Sequence, residues 1–123
     1  MTTNIDELEG AALDFAVATK VMGWHQSFGS IYGDWWYGSP NEITVRDWSP
    51  SQNIAQAFQV KAVHPEWLWA FCETYEDQLR VDVWTKPGSI SSVLTWVDIQ
   101  PDDRTRAWRT AILRAALKAV EVG

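Results

Sequence analysis

Residues 66–86 read "EWLWAFCETYEDQLRVDVWTK", two runs of alternating apolar and polar residues on either side of a turn-forming Glu76-Asp77. Alternation with a period of two is the pattern of half-buried strands, and a short turn between two such runs makes a β-hairpin. A two-residue turn sets the register Tyr75 to Gln78, Glu73 to Arg80, Phe71 to Asp82 and Trp69 to Trp84. One face then carries Leu68, Ala70, Cys72, Leu79, Val81 and Val83, and it requires a helix layer over it. The other carries Trp67, Trp69, Phe71, Glu73, Tyr75, Arg80, Asp82 and Trp84, large rings around an opposed acid-base pair.

Downstream of the hairpin, the "KPGS" breaker precedes "SVLTWVDI", a further strand with Leu94 and Trp96 on one side and Val93, Val97 and Ile99 on the other. Pro101 opens a final helix. Asp102 and Asp103 lie where the helix dipole favours negative charge, and Trp108, Ile112, Leu113, Ala116, Leu117 and Val120 make a broad apolar stripe. Arg104, Arg106, Arg109, Arg114 and Lys118 are assigned to its solvated side.

Upstream, "SPSQNIAQAFQVKAV" predicts a helix over 50–63, with Ser49 as N-cap and Pro50 at the first helical position. The first segment, "NIDELEGAALDFAVATKVM", has Asn4 as N-cap and Glu7 three residues later, followed by Ile5, Leu8, Ala12, Phe15, Thr19 and Met22 at helical spacing. It predicts a helix over 5–22 stopped by Gly23. Between these helices, "DWWY" and "EITVRDW" read as short strands around a "GSPN" turn.

The 123 residues suit one domain spanning 1–123. The order helix, short strands, helix, hairpin, strand, helix gives an α+β or α/β/α sandwich class: a small mixed or antiparallel sheet with a central hairpin, covered by three helices. A hydrophobic content of 46% with 21% charged residues excludes intrinsic disorder.

A net charge of -6 argues against a nucleic-acid partner, because binding to phosphates needs clustered Lys and Arg. No apolar run reaches the roughly 20 residues that span a bilayer. Cys72, the single cysteine, cannot form an intramolecular disulfide and, without an apolar leader, points to a reducing cytoplasm. Its in-phase position on the apolar hairpin face makes it a small buried hydrophobe rather than a nucleophile.

The candidate site lies in "MGWHQSFGSIYGDWWYG", residues 22–38, where six aromatic rings are interrupted by glycines. Irregular aromatic loops on a rigid scaffold are where recognition concentrates, so His25, Tyr32, Trp35, Trp36 and Tyr37 are the expected binding residues. Trp24 fits a structural helix end better. His25 and His64 lack zinc-ligand spacing, and nothing selects Asp34, Asp47 or Glu66 to complete a site, so no metal and no cofactor is expected. No phosphate-cradling loop or nucleophile elbow is present, and no catalytic residue is assigned.

Three segments together resemble the phage ABA sandwich domain family, small proteins of tailed phages and prophages: "VATKVMGW" at 17–24, "WSPSQNIAQAFQV" at 48–60 and "AILRAALKAV" at 111–120. The resemblance implies helices on both sheet faces and carries over no reaction, cofactor or catalytic residue. It departs from the family around 35–37 and in "DDRTRAW". The expected function is a phage or prophage accessory protein in the host cytoplasm, a non-enzymatic binding module for a protein or small molecule. Two alternatives are a small metal- or histidine-dependent hydrolase or nucleotide-acting enzyme using His25 or His64, and a counter-defence protein that sequesters a nucleotide signal with stacked rings and Arg46, Arg80 or Arg104.

Overall fold

A computed structural model of the protein describes residues 4–27, 35–38, 43–46, 48–86 and 88–122, with 26–27, 35, 37–38 and 43–46 described as backbone. A 3-10 turn, Ile5–Glu7, leads into helix α1, Gly10–Ala16, which widens into a π-helical turn at Val17–Val21. Strands β1 (His25–Ser27), β2 (Trp35–Gly38) and β3 (Ile43–Arg46) follow, then helix α2 (Ile54–Ala62). Strands β4 (Leu68–Glu73), β5 (Gln78–Trp84) and β6 (Val93–Asp98) precede helix α3 (Arg104–Val122). The strands form two antiparallel sheets, β1-β2-β3 and β4-β5-β6. The class is α+β, with an antiparallel sheet built on the central hairpin and three helices.

Helix α3 is the wall shared by two cores. Ala107, Ala111, Ala115 and Ala119 recur every fourth residue and lie against Leu79, Val81, Val83 and Ile99 of the β4–β6 sheet. Residues four apart form one ridge of a helix, and methyl-sized side chains let that ridge approach the sheet closely. The opposite side of α3, with Ile112, Leu113, Ala116 and Leu117, packs on Leu13, Val17, Ala57, Val60 and the rings of Trp36 and Trp48. The helix is thus buried on two sides, which explains its wide apolar stripe.

The hairpin register differs by one residue from the sequence expectation. Glu73 pairs with Leu79, Phe71 with Val81 and Trp69 with Val83. The cause is a three-residue turn. The Asp77 amide donates to the Thr74 carbonyl (3.3 Å), the Thr74 amide donates to the Gln78 carbonyl (2.8 Å), and Asp77 has φ 55°. A type I turn followed by a left-handed residue is the usual three-residue hairpin connection. One added turn residue moves one strand's side chains to the other face relative to its partner. Trp69 and Phe71 therefore join Leu79, Val81 and Val83 on the helix side, while Leu68, Ala70 and Cys72 join Arg80 and Asp82 on the outer side. Cys72 is exposed rather than buried.

Among the described residues the helices cover one face of this sheet. The second covering layer implied by the family resemblance is not found on the outer face, where Leu68 is 63% exposed, Leu94 39% and Trp96 42%. On β6 the expected division holds: Leu94 and Trp96 share the outer side, while Val97, and Ile99 just past the strand, pack toward α3.

The helix boundaries shift for local reasons. The expected helix over 5–22 is broken at the extended Leu8 and Glu9, just ahead of Gly10 at φ 55°, and Asn4 caps only a 3-10 turn by accepting from the Asp6 amide (3.1 Å). At its end the Trp24 amide donates to the Ala18 carbonyl (2.9 Å) across Gly23 at φ 71°, closing the helix, and Trp24 packs edge-on against Trp48. The second helix starts at Ile54, capped by Asn53, whose side chain accepts from the Gln56 amide (3.2 Å). Residues 49–53 form a turn instead. The final helix starts at Arg104, capped by Asp103 accepting from the Arg106 amide (3.1 Å).

Three basic residues assigned to a solvated side of α3 are cross-links. Arg114 is buried and donates from Nε and an Nη to the Leu8 carbonyl (3.2 and 3.0 Å). Arg109 donates to the Ser51 carbonyl (2.9 Å), and Lys118 donates to the Leu94 carbonyl (3.3 Å) and pairs with Asp6 (2.7 Å). These bonds tie α3 to the first turn, the α2 entry and β6. No helix among the described residues is long and apolar enough to cross a membrane.

Candidate binding surfaces

The expected aromatic site is largely built on the β1–β3 sheet. His25 pairs with Tyr37, Gln26 with Trp36, and Ser27 with Trp35, while Trp35 also pairs with Arg46 and Tyr37 with Thr44. Trp36 is 5% exposed and meets Phe15 edge-on, with ring centroids 5.5 Å apart at 62°. Its ring belongs to the core and not to the exposed loop surface expected of it. Alternate residues of a strand belong to opposite faces, so positions 35 and 37 lie on the face away from Trp36. His25, in register with Tyr37, is exposed. Tyr32 lies outside the described residues, as do Asp34 and Asp47.

The second histidine is elsewhere. His64 follows α2, stacks on Trp67 with centroids 4.1 Å apart, and has Nδ1 3.1 Å from a Glu66 carboxylate oxygen. The backbone amide of Glu66 and the His64 ring hold that carboxyl below its usual range. Among the described residues no group of three or more His, Cys, Asp or Glu could hold a metal ion.

The carboxylates that shared a face in the expected hairpin are separated by the observed register. Glu73 accepts from the Trp108 indole Nε1 (2.9 Å) and from Arg104, and Phe71 stacks on Trp108 at 4.8 Å. The indole N–H, with Arg104, holds Glu73 below the usual carboxylate range. Asp82 lies on the outer face, where it accepts from Arg80 Nε (2.9 Å), an Arg80 Nη (3.3 Å) and the Ser92 hydroxyl (2.8 Å). Partial burial pushes its pKa up, but the guanidinium and hydroxyl outweigh burial and hold it low. Both groups are fully engaged as anchors, the wrong state for a carboxylate that has to exchange a proton.

One concavity went unseen in the sequence because its walls come from three distant segments. An open cleft of about 660 Å³ lies at the start of α3, lined by Glu9, Gly10, Ser51, Asp98, Asp102, Asp103, Arg106, Thr110 and Arg114 among others. Arg114 is already committed to Leu8, and Asp103 to capping α3. Gly10 alone, as an interruption of helical periodicity, was a local signal of it. A smaller groove of about 240 Å³ runs between α1 and Leu117. Neither His25 nor His64 lines either one. Compared with known proteins, the chain matches no family model, no curated protein and no solved structure.

Proposed function

We propose that this chain is a non-enzymatic binding module, a phage or prophage accessory protein acting in the host cytoplasm, whose recognition surface is the face of the β1–β3 sheet away from the core. The observation that supports it is the burial of Trp36 between two aromatic positions. Burying the middle ring commits positions 35 and 37 to the opposite face, where Tyr37 is in register with the exposed His25 and Trp35 with Ser27. A three-stranded sheet anchored from behind by a tryptophan gives a rigid base for such contacts, and rigid aromatic anchors carry most of the energy at recognition surfaces.

The pairing of Trp35 with Arg46 favours one ligand class within this reading. Ring stacking beside a guanidinium is the chemistry that holds a base together with its phosphate. A nucleotide signal sequestered during infection is therefore the preferred small molecule, with a host protein as the other partner.

The test compares the wild type with a Trp35→Ala/Tyr37→Ala double variant in capture from infected-host extract and in thermal-shift screening against cyclic nucleotides. The double variant is expected to keep its fold and lose the retained partner or the ligand-induced rise in Tm. Equal retention and equal shifts in the two proteins overturn the site. Multiple turnover of any metabolite, abolished by a single substitution, overturns the non-enzymatic reading.

A further inference from the structure

We infer that the outer face of the β4–β6 sheet is a self-association surface, on which a second copy of this chain packs face to face about a twofold axis. This surface is separate from the β1–β3 recognition face. Its large apolar residues, Leu68, Leu94 and Trp96, are exposed on the face of this sheet that no described helix covers. Exposed apolar patches of this kind mark interaction sites, whereas singly scattered apolar residues do not.

Charge points to a second copy as the occupant. The chain carries a net charge of -6, so two copies repel over most of their surface. The centre of this face is different. Its charged residues there are Arg80 and Asp82, two residues apart on the middle strand and bonded to each other, with the Arg80 guanidinium also 5.6 Å from the Trp96 ring centroid. Asp82 is only 9% exposed and already neutralises Arg80, so the centre of the face is locally neutral and can meet its own image without like charges opposing.

Register makes that complementarity specific. Arg80 lies level with Cys72 and Trp96, and Asp82 lies level with Ala70 and Leu94. A twofold axis lying between the two sheets, across the strands at the level of Val81, exchanges those two levels. Arg80 then lies over Asp82 of the second copy, Leu94 over Trp96, and Ala70 over Cys72. No like charges are opposed, since the exposed Arg80 guanidinium lies over the level of the buried, paired Asp82, and the two large apolar residues meet each other. Aligned packing of two twisted sheets accommodates this arrangement. With strands about 4.8 Å apart and about 3.3 Å of rise per residue, the patch measures about 14 by 20 Å. That is small, so the association belongs to the weak, concentration-dependent end of the interface range.

Sedimentation velocity of the intact chain from about 10 µM to about 1 mM tests this, that span being where a small interface dissociates. The wild type is expected to pass from the mass of one chain to that of two. Trp96→Asp and Leu94→Asp, both at exposed positions, are expected to remain single chains with unchanged circular dichroism. Arg80→Asp places acid against acid and is expected to weaken association at least about tenfold, and Arg80→Asp/Asp82→Arg to restore it. Single chains throughout the range overturn the proposal and leave the face to a partner of other chemistry. Dimerisation that persists in Trp96→Asp, or a charge exchange that restores nothing, overturns it as well.

Discussion

Asp14 on α1 accepts two hydrogen bonds from Ser51, one from its amide and one from its hydroxyl, both at 2.8 Å across 37 residues of sequence. The Trp48 indole Nε1 donates to the Asp14 carbonyl (3.2 Å), so the α2 entry turn is clasped to the first helix at one residue. Burial raises the Asp14 pKa against the opposing effect of those Ser51 bonds. Asp14→Ala leaves a buried amide without its acceptor and is expected to cost about 1–3 kcal/mol in chemical denaturation.

The same raised pKa gives a pH test. Where the folded pKa exceeds the unfolded one, folding takes up protons, and the charged carboxylate opposes folding at pH above the raised value. As pH falls from neutral through that value toward the ordinary aspartate pKa, the penalty disappears. The stability of the wild type relative to Asp14→Asn is expected to rise over that interval. A difference that stays flat with pH would show that Asp14 titrates normally.

Asp77 carries the hairpin turn at φ 55° and accepts from the Ile99 amide (2.7 Å) through its carbonyl. The backbone contact survives any side chain, but the left-handed conformation costs an L-residue free energy that glycine avoids. Asp77→Gly is expected to raise stability by about 0.5–1 kcal/mol, and Asp77→Val to lower it by at least as much. The urea midpoints of the two variants should move in opposite directions.

Ala111 and Ala115 are fully buried where α3 meets the β4–β6 sheet. Larger side chains there have no space to enter, and overpacking typically costs about 1–3 kcal/mol. Ala111→Leu is expected to fall in that range by thermal denaturation, whereas Ala55→Leu, on the exposed side of α2, is expected to change stability little.

Thr95 is wholly buried on β6, and its hydroxyl has no hydrogen-bond partner among the described residues. Valine has the same shape without the polar atom, so Thr95→Val is expected to stabilise the fold by about 1 kcal/mol, read from the denaturation midpoint.

Much of the architecture was legible in short-range pattern. The "SVLTWVDI" strand, the glycine stop before Trp24 and the apolar stripe of α3 appear where local pattern puts them, and the described strands Trp35–Gly38 and Ile43–Arg46 overlap the expected "DWWY" and "EITVRDW", because each depends on neighbours within one turn or one strand. What was not legible depended on partners far away. The hairpin faces turned on whether Glu76-Asp77 stood in a two- or three-residue turn, a choice that composition leaves open. Ser49-Pro50 reads as a helix start, yet Ser51 is held by Asp14 and the helix waits for Asn53. Arg109, Arg114 and Lys118 look like surface charges until the carbonyls of Ser51, Leu8 and Leu94 are brought to them.

The same limit governed the site. "SIYGDWWYG" was recognisable as unusual, but one ring of it, Trp36, is core, and pairing across β1–β3 decides which positions accompany His25. The cleft at the start of α3 draws on segments around residues 9, 51 and 97–114, so no local motif announces it.

That α3 walls both cores also dictates when the protein can fold during its synthesis. Until residues 104–122 have emerged from the ribosome, the β4–β6 hairpin has no surface to rest on and α1 and α2 lack the helix between them. Everything before Arg104 must wait as an open, apolar nascent chain, for about 1–4 s at ordinary rates of elongation through α3. Eight of the nine tryptophans precede Arg104 and are exposed to the cell's chaperones during that interval, and a stop codon placed just before α3 should yield an aggregating chain rather than a smaller folded one.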